Sequence, residues 1–281
     1  MDTLPPELIL CIADYLCFVD VVSLRRVCSS YHNLIPVPDV RKLLVSKLSS
    51  FSSEAEKIVQ EIDESGAVVA GSFILSLLYN SSWQPGDIDI YEQAKGYHDV
   101  DYTDMPFCSK ILSFSGMKYV ETLIYEHISS YVTRVYECGE LSFNHIPVSY
   151  QKPMDFIYYS FDMDLVKVAY KGGKLYVKDW NKLIARKDYI VPSSLTSFTQ
   201  TPFSDFPIEH DCYEETVTER MLARKEKYTQ RGFQVRETYK TSEIIERNYN
   251  IYSLLQNKNE EIMEHISLFH FNDYLNPRIW S

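Results

Sequence analysis

The chain has 281 residues, 45% of them hydrophobic, and a formal net charge of −11. That length suits one large domain or a small module joined to a medium one, and the apolar content excludes wholesale disorder. The acidic balance argues against a broad nucleic-acid footprint. Six cysteines (Cys11, Cys17, Cys28, Cys108, Cys138, Cys212) form no C-x-x-C pair, and the seven histidines show no ligand spacing. Reduced, mostly buried thiols are expected, rather than disulfides or a zinc site. No apolar run reaches the roughly 18 residues of a membrane helix, and the start, MDTLPPELIL, lacks the basic region of a signal peptide. The expectation is a soluble, cytoplasmic protein with no membrane partner.

The first elements lie in LPPELILCIADYLCFVDVVSLRRVCSSYHNLI, residues 4–35. Pro5 and Pro6 suit a helix start, where the first N–H groups lack partners anyway. Leu8, Ile9, Ile12, Ala13 and Leu16 follow at helical spacing. Asp20 is read as the N-cap of a second helix carrying Val21, Leu24 and Val27, and Ser29 or Ser30 as the cap of a third. Three such short helices bury little surface alone and need a partner or the rest of the chain. The stretch resembles the F-box at Leu4-Pro5, Glu7-Leu8, Ile12, Tyr15-Leu16, Asp20, Leu24, Val27-Cys28, Tyr31 and Leu34-Ile35, with Tyr31 where tryptophan is frequent. The resemblance implies that Leu4, Pro5, Leu8, Ile12, Leu16 and Leu24 dock on a Skp-type adaptor of a cullin ubiquitin ligase. The residues alone also allow a helical cap packed onto the next domain.

Residues 36–53 read as a connector with one short helix, and SSEAEKIVQEID (52–63) as a helix with a serine cap. GAVVAGS then leads into FILSLLY, which has helical periodicity. Gly71 permits close approach of a bound group, and Ser72 sits at a helix mouth, where free N–H groups favour phosphate. After Gln84-Pro85-Gly86 comes the strand DIDIY, whose alternation puts Asp87 and Asp89 on one face and Ile88 and Ile90 on the other. Two adjacent carboxylates repel unless cations or hydrogen bonds compensate, and magnesium is a natural compensator. DFIYYSFDMDLVKVAYKGGKLYV (155–177) reads as a strand, a Gly172-Gly173 turn and a returning strand, with Asp162 and Asp164 sharing a face.

A Gly-Ser helix, an Asp-x-Asp strand and a later acidic strand, in this order, resemble the nucleotidyltransferase fold. The segments AGSFILSLLY…PGDIDIY, FDMDLVKVAY and RKEKYTQRGF further resemble a group of divergent nucleotidyltransferase-like proteins of fungi and large DNA viruses. That resemblance covers about residues 54–240 and is compatible with an intracellular protein of a virus-infected host cell. It implies that Gly71 and Ser72 hold a nucleoside triphosphate, that Asp87, Asp89 and Asp162 are catalytic, and that they bind Mg2+ or Mn2+. Asp164 is a fourth candidate metal ligand; Asp162 is favoured as the third because it follows Phe161, as in the family pattern.

TVTERMLARKEKYTQRGF (216–233) carries a T-x-x-E capping box at Thr216 and Glu219, and Gly232 where a left-handed C-terminal cap belongs. Between them Arg220, Arg224, Lys227 and Arg231 fall on one face. Arg224, Lys227 and Arg231 are candidate phosphate-binding residues; the alternative is pairing with the chain's own acidic surface. Residues 241–268 read as a further amphipathic helix, and the aromatic end as a segment that docks.

The expected architecture is α+β: an F-box-like module over residues 1–45, a nucleotidyltransferase-like mixed sheet flanked by helices over 46–240, and a helical extension over 241–281. Two functions compete. One is metal-dependent transfer of a nucleoside monophosphate to an unknown protein, nucleic-acid or small-molecule acceptor. The other is a substrate-recruiting F-box adaptor in which the folded domain, active or not, selects the target.

Overall fold

The computed structural model describes residues 4–81, 83–94, 105–125, 131–148, 152–190 and 222–237. The chain begins with three short helices, α1 (Pro6–Asp14), α2 (Phe18–Arg25) and α3 (Ser29–Leu34). Pro6 opens α1, where its missing N–H costs nothing. Asp20 does not cap α2. The helix begins earlier, with Cys17 at the N-cap, and Asp20 lies in its first turn accepting the Cys17 thiol at 3.0 Å. Ile9, Ala13, Val21 and Ile35 form a small core of their own. Phe18 and Val19 instead enter the main core, where Phe18 stacks on Trp180 at 6.2 Å.

Two further helices follow, α4 (Val40–Leu48) and α5 (Ala55–Ser65). The Asp39 side chain caps α4 by accepting from the N–H groups of Arg41 and Lys42. Leu44, Leu48, Ile58, Val59 and Ile62 bury the inner faces of both helices. Arg41 bonds Asp63 at 3.0 Å, and Asp63 also accepts the Tyr170 hydroxyl at 2.7 Å, tying α4 and α5 to the sheet.

The sheet strands are β1 (Val68–Ala70), β2 (Asp87–Gln93), β3 (Lys118–Tyr125), β4 (Tyr131–Cys138), β5 (Leu141–Val148), β6 (Val168–Lys171) and β7 (Lys174–Val177). Their order is β3-β4-β5-β2-β1-β6-β7. Only the β2/β5 pair is parallel; the others are antiparallel. Between strands lie α6 (Ser72–Leu78), α7 (Pro106–Lys110), α8 (Pro153–Ser160) and α9 (Trp180–Ala185). One face of the sheet carries Val69, Ile88, Ile90 and Phe143 against α4, α5 and α6. The other packs Val68, Ala70, Tyr91, Val148 and Ala169 against Phe156 and Ile157 of α8. A helix over 222–230, α10, ends the described chain together with β9 (Gln234–Glu237), which pairs in parallel with β8 (Lys187–Ile190).

The strand expected from residue 155 is a correction. Residues 153–160 are helical, Asp164–Val166 form a 3-10 turn, and the strand begins only at Val168. Asp162 and Asp164 therefore share no strand face. The β-branched and aromatic run Phe156-Ile157-Tyr158-Tyr159 suggested a strand, but Pro153 at the helix start and burial of Phe156 and Ile157 on the sheet decide for helix. The Gly172-Gly173 hairpin is as expected, both glycines having positive φ between the paired Lys171 and Lys174. Thr216, Glu219, Arg220 and residues 241–281 lie outside the described residues.

Candidate functional site

The turn between β1 and α6 is where the local sequence leaves least freedom. Gly71 has φ 80° and ψ −144°, a combination that essentially only glycine adopts. Its N–H donates to the Val168 carbonyl at 3.1 Å, and its carbonyl accepts Leu75 N–H as the first helical bond of α6. An added Cβ here would stand 3.6 Å from Asp89 Oδ2 and 3.7 Å from the Phe161 ring. The glycine thus brings the start of α6 beside Asp89 and the residue that precedes Asp162. Ser72 is the first residue of α6 and half-buried, while Phe73 to Leu78 are all buried.

Alternation along β2 keeps Asp87 and Asp89 half-buried on one face while Ile88 and Ile90 fill the core. Both carboxylates are bridged by a single amide that the sequence did not single out. Asn144 Nδ2 donates to Asp87 Oδ2 at 3.2 Å and to Asp89 Oδ1 at 3.0 Å. Asn144 is the register partner of Asp89 on the parallel strand β5, so strand pairing and not sequence proximity brings it there. Burial, then the charge of Asp87, pushes the Asp89 carboxyl up to about 7; Asn144, Arg224 and Lys227 oppose the rise.

Asp162 lies in the link between α8 and the 3-10 turn and is almost fully buried. Its Oδ2 meets Arg224 Nη1 of α10 at 3.2 Å, whereas its buried Oδ1 has no hydrogen-bond partner. Burial raises its pKa, and the Arg224 guanidinium counters part of that rise. Asp164 belongs to a different set of contacts. It pairs with Lys182 at 2.5 Å, Lys178 at 2.9 Å and Lys167 at 3.2 Å. Burial alone would raise its pKa, but the three ammonium groups hold it well below the usual carboxylate range.

The basic face of α10 points at the aspartates. Arg224 pairs with Asp162, and Lys227 is within electrostatic reach of Asp87 and Asp89. Arg231 lies over the Trp83 ring at 4.0 Å and near Tyr228 at 5.2 Å, with its buried Nη1 lacking a hydrogen bond. The helix is held in place by its end: Gly232 N–H bonds Thr229 O, Phe233 N–H bonds Tyr228 O, and the two rings meet edge to face.

Two oxygen-rich side chains on one face and a charge conflict within the pair fit a hard cation such as Mg2+ or Mn2+ at Asp87 and Asp89. Among the described residues, however, no group of three or more His, Cys, Asp or Glu is arranged to hold a metal ion. Asn144 donates to both carboxylates of the pair, Arg224 is paired with Asp162, and Lys227 lowers the Asp89 pKa without offsetting the effect of burial and Asp87.

A second candidate surface is on α1. Leu4, Leu8 and Ile12 are each about half exposed and Tyr15 is 87% exposed, although all are apolar or aromatic. Pro5 is exposed beside them, while Leu16 and Leu24 turn inward onto the small core of the first three helices. No helix among the described residues is long and apolar enough to cross a membrane.

No curated protein matches the chain. Among solved structures it is similar to a CCA-adding enzyme in complex with ATP, at 20% identity and a TM-score of 0.38, over 69% of this chain and 48% of that one. It is similar to the Thermotoga maritima CCA-adding enzyme complexed with tRNA, at 19% identity and a TM-score of 0.38, over 69% and 47%. A CCA-adding enzyme in complex with CTP matches at 19% identity and a TM-score of 0.36, over 83% and 53%. The chain thus spans about half the length of these enzymes. Residues 1–43 match the family model of the F-box domain, so the three N-terminal helices with their outward apolar face are an F-box domain.

Proposed function

We propose that the chain is a substrate-recruiting F-box adaptor, with the sheet domain as the body that selects the target. In this reading Leu4, Pro5, Leu8 and Ile12 dock on a Skp-type adaptor of a cullin ubiquitin ligase. The observation that carries it is the outward apolar face of α1, on a domain whose own core uses Ile9 and Ala13 from the opposite side of the same helix. Such a face is stable in water only at the cost of exposed apolar area, which a partner's groove removes. Leu8→Asp with Ile12→Asp should abolish capture of a purified Skp-type adaptor and leave the melting temperature of the sheet domain unchanged. Equal capture by the double variant, or no capture by the wild type, would overturn the reading.

A second reading rests on the Asp87–Asp89 pair and the unpartnered Asp162 Oδ1: metal-dependent nucleotidyl transfer. Asp87 and Asp89, with Asp162, would hold Mg2+ or Mn2+, Gly71 and Ser72 would receive a nucleoside triphosphate, and Arg224, Lys227 and Arg231 would contact its phosphates. When bound, the cation supplies charge stabilisation on the phosphoryl oxygens. The chain's own part is to orient the triphosphate at the α6 turn and to offer positive charge from α10; the acceptor is a protein, a nucleic acid or a small molecule. Magnesium with a nucleoside triphosphate should then raise the melting temperature, because a ligand that binds only the native state stabilises it by mass action. Asp87→Asn with Asp89→Asn should erase that shift. No shift in the wild type would leave the sheet domain as a scaffold for the adaptor function.

A further inference from the structure

Three lysines from separate parts of the chain converge on Asp164. Lys167 follows the 3-10 turn, Lys178 follows β7 and Lys182 lies in α9; they meet the carboxylate at 3.2, 2.9 and 2.5 Å. The antiparallel pairing of β6 and β7 continues one residue past Val168 and Val177, where Lys178 N–H donates to the Lys167 carbonyl at 3.1 Å. Lys167 and Lys178 therefore stand side by side on a single carboxylate oxygen, Asp164 Oδ1. Both also lie over the Tyr158 ring of α8, at 5.9 and 4.5 Å.

Like charges directly opposite on paired strands cost stability, and Lys167 is buried, so water relieves little of that cost. The neighbouring carboxylates do not cancel it. Lys182 also pairs with Asp188 at 3.0 Å, but Asp188 accepts the N–H groups of Leu165 and Tyr189 as well, at 2.7 and 2.8 Å. Asp162, two residues before Asp164, is paired with Arg224. Among the described residues, the ion pairs of this corner thus set three ammonium groups against two carboxylates, Asp164 and Asp188. We propose that the corner formed by Lys167, Lys178 and Lys182 is a binding site for a phosphate group, free or as a monoester, which supplies the missing negative charge.

Each ammonium carries three N–H donors, and Lys167 and Lys178 share one oxygen of Asp164, so donors remain for the oxygens of an anion. The side chains of Lys178 and Lys182 are about a quarter exposed and admit a ligand from solvent, while Lys167 is the buried anchor. A phosphate presents several oxygens to several ammonium groups at once, each contact charge-assisted. The same lysines repel a divalent cation from Asp164. The site is distinct from the basic face of α10 and independent of both functional readings, since it needs neither a Skp-type adaptor nor a metal.

The test titrates the full chain with inorganic phosphate, and separately with methyl phosphate, in magnesium-free buffer at constant ionic strength, and reads binding by calorimetry. The wild type should saturate at one site with at least one of the two, and the tighter of them identifies the source of the phosphate. Lys178→Gln should weaken that binding by about tenfold, through the loss of one charge-assisted contact. Asp164→Asn removes the carboxylate that competes for the lysines and should tighten binding severalfold instead. Should one of these variants fail to fold, the other decides. Lys227→Gln on α10 reports whether the phosphate sits among Asp87 and Asp89 rather than in the lysine corner. No saturation of the wild type by either compound below about 10 mM, unchanged affinity in either corner variant, or an about tenfold loss in Lys227→Gln would overturn the proposal.

Discussion

Asp89 shows how a single carboxyl couples the site to solution conditions. Its folded-state pKa stands at about 7, above the roughly 3.9 of an unfolded aspartate. Between those values the folded chain binds more protons than the unfolded one, so stability is fully present at the acid end and is lost as pH rises through about 7. Asp89→Asn removes this loss. It should raise the melting temperature at pH 8 and flatten its pH dependence between about 4 and 8, by on the order of 1 kcal/mol, since the side chain keeps some solvent contact. Thermal unfolding of wild type and variant at several pH values measures it; a variant that melts lower than wild type at pH 8 would mean that the carboxylate is held by more charge than Asn144, Arg224 and Lys227. The alternation that sets Asp87 beside Asp89 was legible in DIDIY. The amide between them was not, because Asn144 lies 55 residues beyond Asp89 and meets it only through the parallel β2/β5 pairing. Nor could spacing separate Asp162 from Asp164. What distinguishes them is three-dimensional: one faces Arg224, the other three lysines.

Elements were legible where one local signal decided them. The end of α10 follows from Gly232, whose φ of 85° lets the chain reverse and deliver Phe233 into the core. The β6–β7 hairpin follows from its two glycines, and α6 from its apolar run after Gly71. Residues 153–160 were not legible, because their side-chain types favour a strand while their tertiary setting demands a helix. Phe156 and Ile157 find Val68, Ala70 and Tyr91 beneath them only once the sheet exists. The direction taken by the basic face had the same limit. Helical spacing grouped Arg224, Lys227 and Arg231, but which acidic surface they meet depends on α10 packing through Tyr228 and Phe233, both buried in the main core. In that position the helix acts as a built-in counter-charge to the aspartates. A triphosphate entering this site would have to take over Arg224 from Asp162.

At the scale of the whole molecule the F-box domain is a poor candidate for independent folding. Its own core is confined to Ile9, Ala13, Val21 and Ile35 with a few partly buried neighbours, while Phe18 and Val19 leave it for the main core. A boundary at residue 45 would also run through α4, which spans Val40–Leu48. Phe18 stacked on Trp180, with Arg26 reaching Asn181 at 3.3 Å, makes α2 the tether between the outward apolar face of the F-box domain and the sheet. Phe18→Ala should therefore cost about 3 kcal/mol or more, the usual penalty for emptying an aromatic core site. The loss should not be even. Hydrogen exchange should quicken across residues 6–34 while β1, β2 and β5 keep their protection, since the sheet retains its own core on both faces. The wild type should unfold in one transition. Two transitions in the wild type, with Phe18→Ala shifting only the first, would make the F-box an autonomous domain. A single transition that Phe18→Ala lowers, with faster exchange in the first three helices, would mean that the sheet domain sets how firmly the outward apolar face of α1 is held in place.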